Sequence, residues 1–217
     1  MIDKPCRGLR KDAERNRRRV LTAARELFAV KGMEASLNDV ARHAGVGVGT
    51  VYRRFATKEE LVEAIFGSAV DEVVCLAEAA LRHEDSWEGF VWFVEHQCLL
   101  TATDRGLREM VYSRAYGGNR VERVRERLAP LMKELVGRAR RDGYLRPDVE
   151  STDMPVIGLL AGTVGEWAGD VDPELWRRYV ELLLEGMRCR PGRKPLGVDA
   201  LGEEQMHAAM HGWDPAG

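Results

Sequence analysis

An all-α fold in two parts is what this 217-residue sequence predicts, and three observations carry that prediction. Apolar side chains recur at helical spacing in one segment after another. The stretch from Leu37 to Phe55, LNDVARHAGVGVGTVYRRF, reads as two short helices around a Gly45-Val46-Gly47 turn. Charge is also divided along the chain: residues 1–58 hold 14 Lys/Arg against 6 Asp/Glu, whereas residues 59–217 hold 19 against 29. The net charge of −2 therefore conceals a basic head joined to an acidic body.

The elements follow in order. Residues 1–9 contain Pro5 and Gly8 and read as a mobile arm. From about Ala13 a first helix carries Val20, Ala24, Leu27 and Phe28 on one face and ends near Lys31, with Gly32 as its C-terminal cap. Ser36 followed three residues later by Asp39 marks the start of the second helix, a hydroxyl accepting from the first turn and a carboxylate at the positive end of the dipole. The helix after the turn opens less firmly, because Gly47 stands where a hydroxyl cap belongs. Thr57 caps a fourth helix and puts Lys58 in its first turn, where a cation is unfavourable for the dipole and so points to an anionic partner. A helix-turn-helix can present the leading residues of its second helix to a DNA major groove while Tyr, Thr and basic side chains hold phosphates. The basic run Arg7, Arg10, Lys11, Arg15, Arg17, Arg18 and Arg19 just upstream can add phosphate or minor-groove contacts.

Residues 13–66, with LFAVKGMEAS leading into LNDVARHAGVGVGTVYRRFATKEEL, closely resemble the N-terminal domain of the TetR family of transcriptional repressors. That resemblance implies that Thr50, Tyr52 and Lys58 contact phosphates and that Val48, Thr50 and Arg53 face the groove. Arg54 stands where His is common, Gly47 replaces the usual Ser, and Val48 replaces a frequent Lys or Arg. Base reading then rests on Thr50, Arg53 and Arg42 or the N-terminal arm. The resemblance also implies a homodimer on double-stranded operator DNA, relieved by a small-molecule effector.

Beyond residue 66 the pattern alone speaks. Residues 68–83 form a helix with a wide apolar face, and Ser86 caps SWEGFVWFVEHQCLLTATD, aromatic on more than one side. RGLREMVYSRAYGGN supplies Leu107, Met110, Val111, Tyr112 and Tyr116 before a Gly117-Gly118-Asn119 break. Arg120 to Arg141 keeps a helical stripe that Pro130 should kink or divide. In the next helix Ser151 or Thr152 caps, and Gly158, Ala161, Gly162 and Gly165 form a small-residue stripe; Asp172-Pro173 then starts a helix with Trp176, Tyr179, Val180, Leu183 and Met187 on one face. Helices about 151–167 and 173–188 are the expected homodimer surface. Residues 1–56 are assigned to an N-terminal three-helix helix-turn-helix DNA-binding domain, 57–190 to a C-terminal helical ligand-binding and dimerisation domain, and 191–217 to a mobile tail.

Chemistry is sparse. None of the phosphate-loop, nucleophile-elbow or zinc-protease motifs occurs, Cys6, Cys75, Cys98 and Cys189 show no paired spacing, and the five His do not group as ligands. No catalytic residue, metal site or cofactor is expected, and the lack of an apolar span or signal core predicts a cytoplasmic protein that does not enter membranes. Pockets between bundle helices are mostly apolar with a few polar groups. The candidates are Trp87, Phe90, Phe93, His96 and Gln97, with Met110, Tyr112, Tyr116 and Trp167 completing the wall. The alternative is a small-molecule-binding helical protein or enzyme whose helix-turn-helix is structural.

Overall fold

The computed structural model describes residues 5–112 and 119–212, and helices dominate them. They run α1 (Pro5–Lys31), a single 3₁₀ turn (Gly32–Glu34), α2 (Leu37–Ala44), α3 (Val48–Tyr52), α4 (Lys58–Leu81), α5 (Ser86–Thr103), α6 (Arg105–Tyr112), α7 (Asn119–Arg141), α8 (Asp153–Ala168), α9 (Leu175–Met187) and α10 (Glu203–Gly212). A lone antiparallel bridge, Leu145 to Arg188, is the extent of β-pairing among the described residues.

Two apolar cores organise these helices. The first gathers Val20, Ala24 and Phe28 of α1, Leu37, Val40 and Ala41 of α2, Val51 of α3, Phe55, and Leu61, Val62 and Ile65 from the first half of α4. The second gathers Ala77 and Ala80 from the far end of α4 with Phe90, Phe93 and Val94 of α5, Leu135, Val136 and Ala139 of α7, Met154 and Ile157 of α8, and Trp176 and Val180 of α9. The helix capped by Thr57 and the helix over 68–83, read from sequence as separate, are thus one continuous α4 that enters both cores. Its far end is held by Arg138, whose guanidinium donates to the carbonyls of Leu81, His83 and Glu84 at 2.7–2.8 Å, a cation on carbonyls that lack helical partners.

Several expectations are corrected here. α1 begins at Pro5 rather than near Ala13. Pro130 lies inside α7 without dividing it; it and Glu126, four residues back, are both exposed, so the carbonyl that a proline cannot satisfy is open to water. Thr152 precedes α8 in helical rather than extended backbone (φ −71°, ψ −13°), and its hydroxyl makes no capping bond; an N-cap needs extended backbone for the side chain to turn back. Residues 203–212, assigned to a tail, form α10 with Met206 buried. The segment leading there is tied down: Arg146 and Asp148 pair at 2.6 Å, Arg146 donates to the Lys194 carbonyl at 3.0 Å, and Asp148 accepts from the Leu196 amide at 2.7 Å.

The small-residue stripe of α8 turns inward. A Cβ built on Gly165 would lie 2.7 Å from the Ala102 carbonyl oxygen, and one on Gly162 would lie 2.6 Å from Arg108 Cδ. α5 therefore packs backbone-close on α8, and Thr101 Oγ1 donates across to the Gly158 carbonyl at 2.9 Å. Two glycine substitutions should move stability in opposite directions. Gly165→Val forces α5 and α8 apart and should cost about 1–3 kcal/mol in urea denaturation. Gly67→Ala in α4, where an added Cβ meets nothing within 4 Å, should add roughly 0.5–1 kcal/mol. In acid, the Arg146 guanidinium and then the Leu196 amide hold the Asp148 carboxyl down to about 2. A depressed carboxyl contributes stability that is present above its unfolded value and lost as pH falls through its folded one. The segment 188–202 should keep its amide protection at pH 5 and lose it only as pH falls towards 2, read by hydrogen exchange.

Candidate nucleic-acid interface and ligand cavity

The turn between α2 and α3 is fixed at both ends. Ser36 Oγ accepts from the Asp39 amide at 3.2 Å while Asp39 Oδ2 accepts from the Ser36 amide at 3.1 Å, a complete capping box. The same Ser36 hydroxyl, then its amide, hold the Asp39 carboxyl below the ordinary carboxylate range. Gly45 ends α2 at φ 63°, the left-handed region that glycine adopts freely. Arg19 reaches from α1 to the Ala44 carbonyl at 2.9 Å, so this arm residue braces the motif. The side chains of Arg7, Arg10, Lys11, Arg15, Arg17 and Arg18 lie outside the described residues.

Burial sorts α3 into two faces. Val51 and Phe55 are buried in the first core. Val48, Tyr52, Arg53 and Arg54 are exposed, as is Arg42 on α2, and Thr50 and Lys58 are half-buried. Arg53 folds back on its own helix, donating to the Gly49 carbonyl at 3.1 Å and to Thr50 Oγ1 at 3.4 Å; Arg42 sits 3.4 Å from Asp39. Lys58 Nζ lies 6.0 Å from the Phe28 ring centroid. Gly47 leaves α3 without a side-chain cap, as the sequence implied, so its leading edge offers backbone amides and Val48 to a partner.

A cavity of about 150 Å³ lies in the body, between α4, α5, α7, α8 and α10. Val73, Phe93, Leu128, Met132, Met154 and Met206 give it an apolar wall, and Gln97, Lys133, Thr152, Glu203 and His207 add polar groups. Of the candidate ligand residues, Phe93 and Gln97 line it. The others are placed elsewhere. Phe90 is buried in the second core, Trp87 stacks under the Arg188 guanidinium 4.6 Å from its ring, and His96 stacks on Trp92 at 4.0 Å with Nδ1 2.7 Å from the Trp92 carbonyl. Trp167 is 77% exposed on α8. The side chains of Met110 and Tyr112, and Tyr116 altogether, lie outside the described residues. Among the described residues no cluster of His, Cys, Asp or Glu could hold a metal. Burial pushes the Cys98 thiol up to about 12, which keeps it protonated and inert.

Sequence reasoning missed the tie between the two parts. Asp104 precedes α6 and accepts from the Leu107 amide at 2.9 Å with one oxygen, while the other lies 3.3 Å from Arg25 Nε of α1. Arg25 also pairs with Glu72 of α4 at 2.7 Å. Beside this network Gly106 sits against Phe28, with no room for a Cβ. An Asp between two helical segments is a signal for a helix start that could have drawn attention to Asp104; its partner 79 positions earlier has no such signal.

Comparison with known proteins agrees with this geometry. The model for bacterial regulatory proteins of the tetR family matches residues 20–65, and that for the SbtR-like transcriptional regulator C-terminal domain matches residues 85–189. The chain belongs to the TetR family. The solved TetR transcription regulatory protein from Mycobacterium vanbaalenii is 33% identical, with a TM-score of 0.58 over 83% of this chain and 99% of that one. The TetR transcriptional regulator SCO0520 from Streptomyces coelicolor is 27% identical, with a TM-score of 0.60 over 80% of this chain and 98% of that one. Among curated proteins, the HTH-type transcriptional regulator SAR0097 of Staphylococcus aureus is 36% identical over 89 residues, which is 40% of this chain and 46% of that protein. The chain thus matches a little under half the length of that relative. No helix among the described residues of this TetR-family chain is long and apolar enough to cross a membrane.

The dual use of Asp104 generates a test. Asp104→Ala removes both cap and ion pair and should cost about 0.5–2 kcal/mol in urea denaturation. Asp104→Asn keeps the acceptor for Leu107 and should cost less.

Proposed function

We propose that the protein is a DNA-binding transcriptional regulator that represses as a homodimer and leaves its operator when a small molecule fills the body cavity. One observation carries the reading: α4 begins with Lys58 beside the helix-turn-helix and presents Val73 to the cavity. Those positions are roughly 22 Å apart along one helix. A ligand that moves Val73 therefore moves the helix whose first half shares a core with α1, α2 and α3. The Arg25–Glu72 and Arg25–Asp104 pairs would transmit the same movement to α1.

Repression requires two recognition helices about 34–36 Å apart, one turn of DNA. A dimer across α8 and α9 supplies the second. Once α5 has covered the small-residue stripe, these helices still expose Val156, Leu160, Trp167, Tyr179 and Leu182, with Val171 between them. Exposed apolar patches of this kind are characteristic of interfaces. The effector acts by binding better to a conformation whose recognition helices are wrongly spaced, shifting the population away from the DNA-competent one. On the DNA side, Thr50, Tyr52 and Lys58 serve phosphates, Val48, Thr50 and Arg53 face the groove, and Arg42 and Arg54 add basic contacts.

A gel shift on the DNA flanking the gene tests this reading. Salt-sensitive binding is expected. Lys58→Ala should weaken it about equally for all sequences and lower the slope of log K against log salt by about 1, and Tyr52→Ala should weaken it further. Binding to no DNA would favour the alternative of a ligand-binding protein with a structural helix-turn-helix.

A further inference from the structure

The cavity is closed on one side by α10, and this closure has a specific polar latch. Met206 and Met210 of α10 line the space, and Glu203 at its first position pairs with Lys133 of α7. Both latch side chains are about half exposed, 56% and 46%, so the pair sits at the mouth. The remaining wall belongs to α4, α5, α7 and α8. Thr152 borders the space, although its hydroxyl oxygen is itself enclosed by protein atoms with no hydrogen-bond partner, which costs free energy. Ser151, Thr152 and Pro155 bring the N-terminal end of α8 to the same cavity; Asp153 does not join that lining, and its carboxylate accepts from the Glu150 amide at 2.8 Å.

From these groups we infer that the cavity binds a small apolar monocarboxylate whose carboxylate takes the place of Glu203 on Lys133, so that α10 is a built-in competitor for the effector. The inference rests on the regulator reading for its biological role and on the cavity alone for its chemistry. The sign of the charge follows from what is fixed. Lys133 and the α8 end are parts of packed body helices, whereas the one acid lining the cavity, Glu203, is on α10, which follows a loop. When α10 lifts, the body presents the Lys133 cation beside the N-terminal end of α8, both suited to an anion. Size follows from the volume: an apolar cavity of about 150 Å³ holds a single benzene-sized molecule. Met132 and Met154, which stay with the body helices, are flexible enough to repack around an aromatic or short aliphatic body.

The test uses the full chain and three probes of one shape: benzoate, benzyl alcohol and benzylamine, titrated by calorimetry at about 0.1 M salt. Benzoate should bind at least about tenfold more tightly than either of the others, the size of one charge-assisted hydrogen bond. Glu203→Gln should tighten benzoate about two- to fivefold, the range of an exposed ion pair, and change the alcohol by less. Lys133→Gln, a surface replacement that opens no core, should reduce benzoate to the level of the alcohol. Hydrogen exchange across residues 203–212 should quicken with bound benzoate. Equal affinity for the three probes, a preference for the amine, no binding of any probe, weaker benzoate binding to Glu203→Gln, or slower exchange in α10 would each overturn the inference. The two readings fail separately: salt-sensitive operator binding without benzoate binding removes this inference and leaves the regulator, and the benzoate pattern without DNA binding removes the regulator and leaves the site.

Discussion

The structure depends on one helix belonging to two hydrophobic cores. Burying apolar area is roughly additive, about 25 cal/mol per Å², so the first half of α4 is fixed by Leu61, Val62 and Ile65 in one core and its far end by Ala77 and Ala80 in the other. Neither end can tilt without disturbing its own core, because packed interiors do not deform continuously. α4 therefore has reason to move as a rod. Arg25, paired with Glu72 and Asp104, and Gly106 against Phe28 add a second joint, so α1 meets the body through α6 as well as through α4.

The body shows how one helix serves two neighbours. Glycine on the inner face of α8 lets α5 approach closely enough for the Thr101 hydroxyl to donate to the Gly158 carbonyl. The outer face keeps Val156, Leu160 and Trp167 exposed. Small residues thus serve intrachain approach while large ones stay exposed, where the sequence had suggested that both served the dimer.

Legibility in the sequence followed the range of the interactions. The helix-turn-helix was readable because its determinants are local: Ser36 with Asp39, Gly45 at positive φ, and Thr57 with Glu60 all act within about four residues. Its weak point was readable too, since Gly47 can supply no capping side chain. The cavity was only partly readable. Phe93 and Gln97 announced themselves by lying on an aromatic-rich helix, but Lys133, Thr152, Met206 and Met210 come from three other elements whose meeting depends on close packing. α10 escaped notice because Met206 and Met210 are a single i,i+4 pair in a ten-residue segment, too short for a periodicity to stand out. A hydroxyl before a helix suggests a cap, and at Thr152 only the helical backbone conformation reveals that the cap is not made.

What unites these features is the claim that filling the cavity changes the spacing of two recognition helices through α4. The direct measurement is the distance between nitroxide labels at Asn38→Cys in the two protomers of a dimer otherwise free of cysteine, by pulsed electron resonance. Labels on operator-bound protein should give one narrow distribution, and saturating benzoate should move it to a different mean separation as operator affinity falls. An unchanged distribution in protein that has lost its operator would contradict the account.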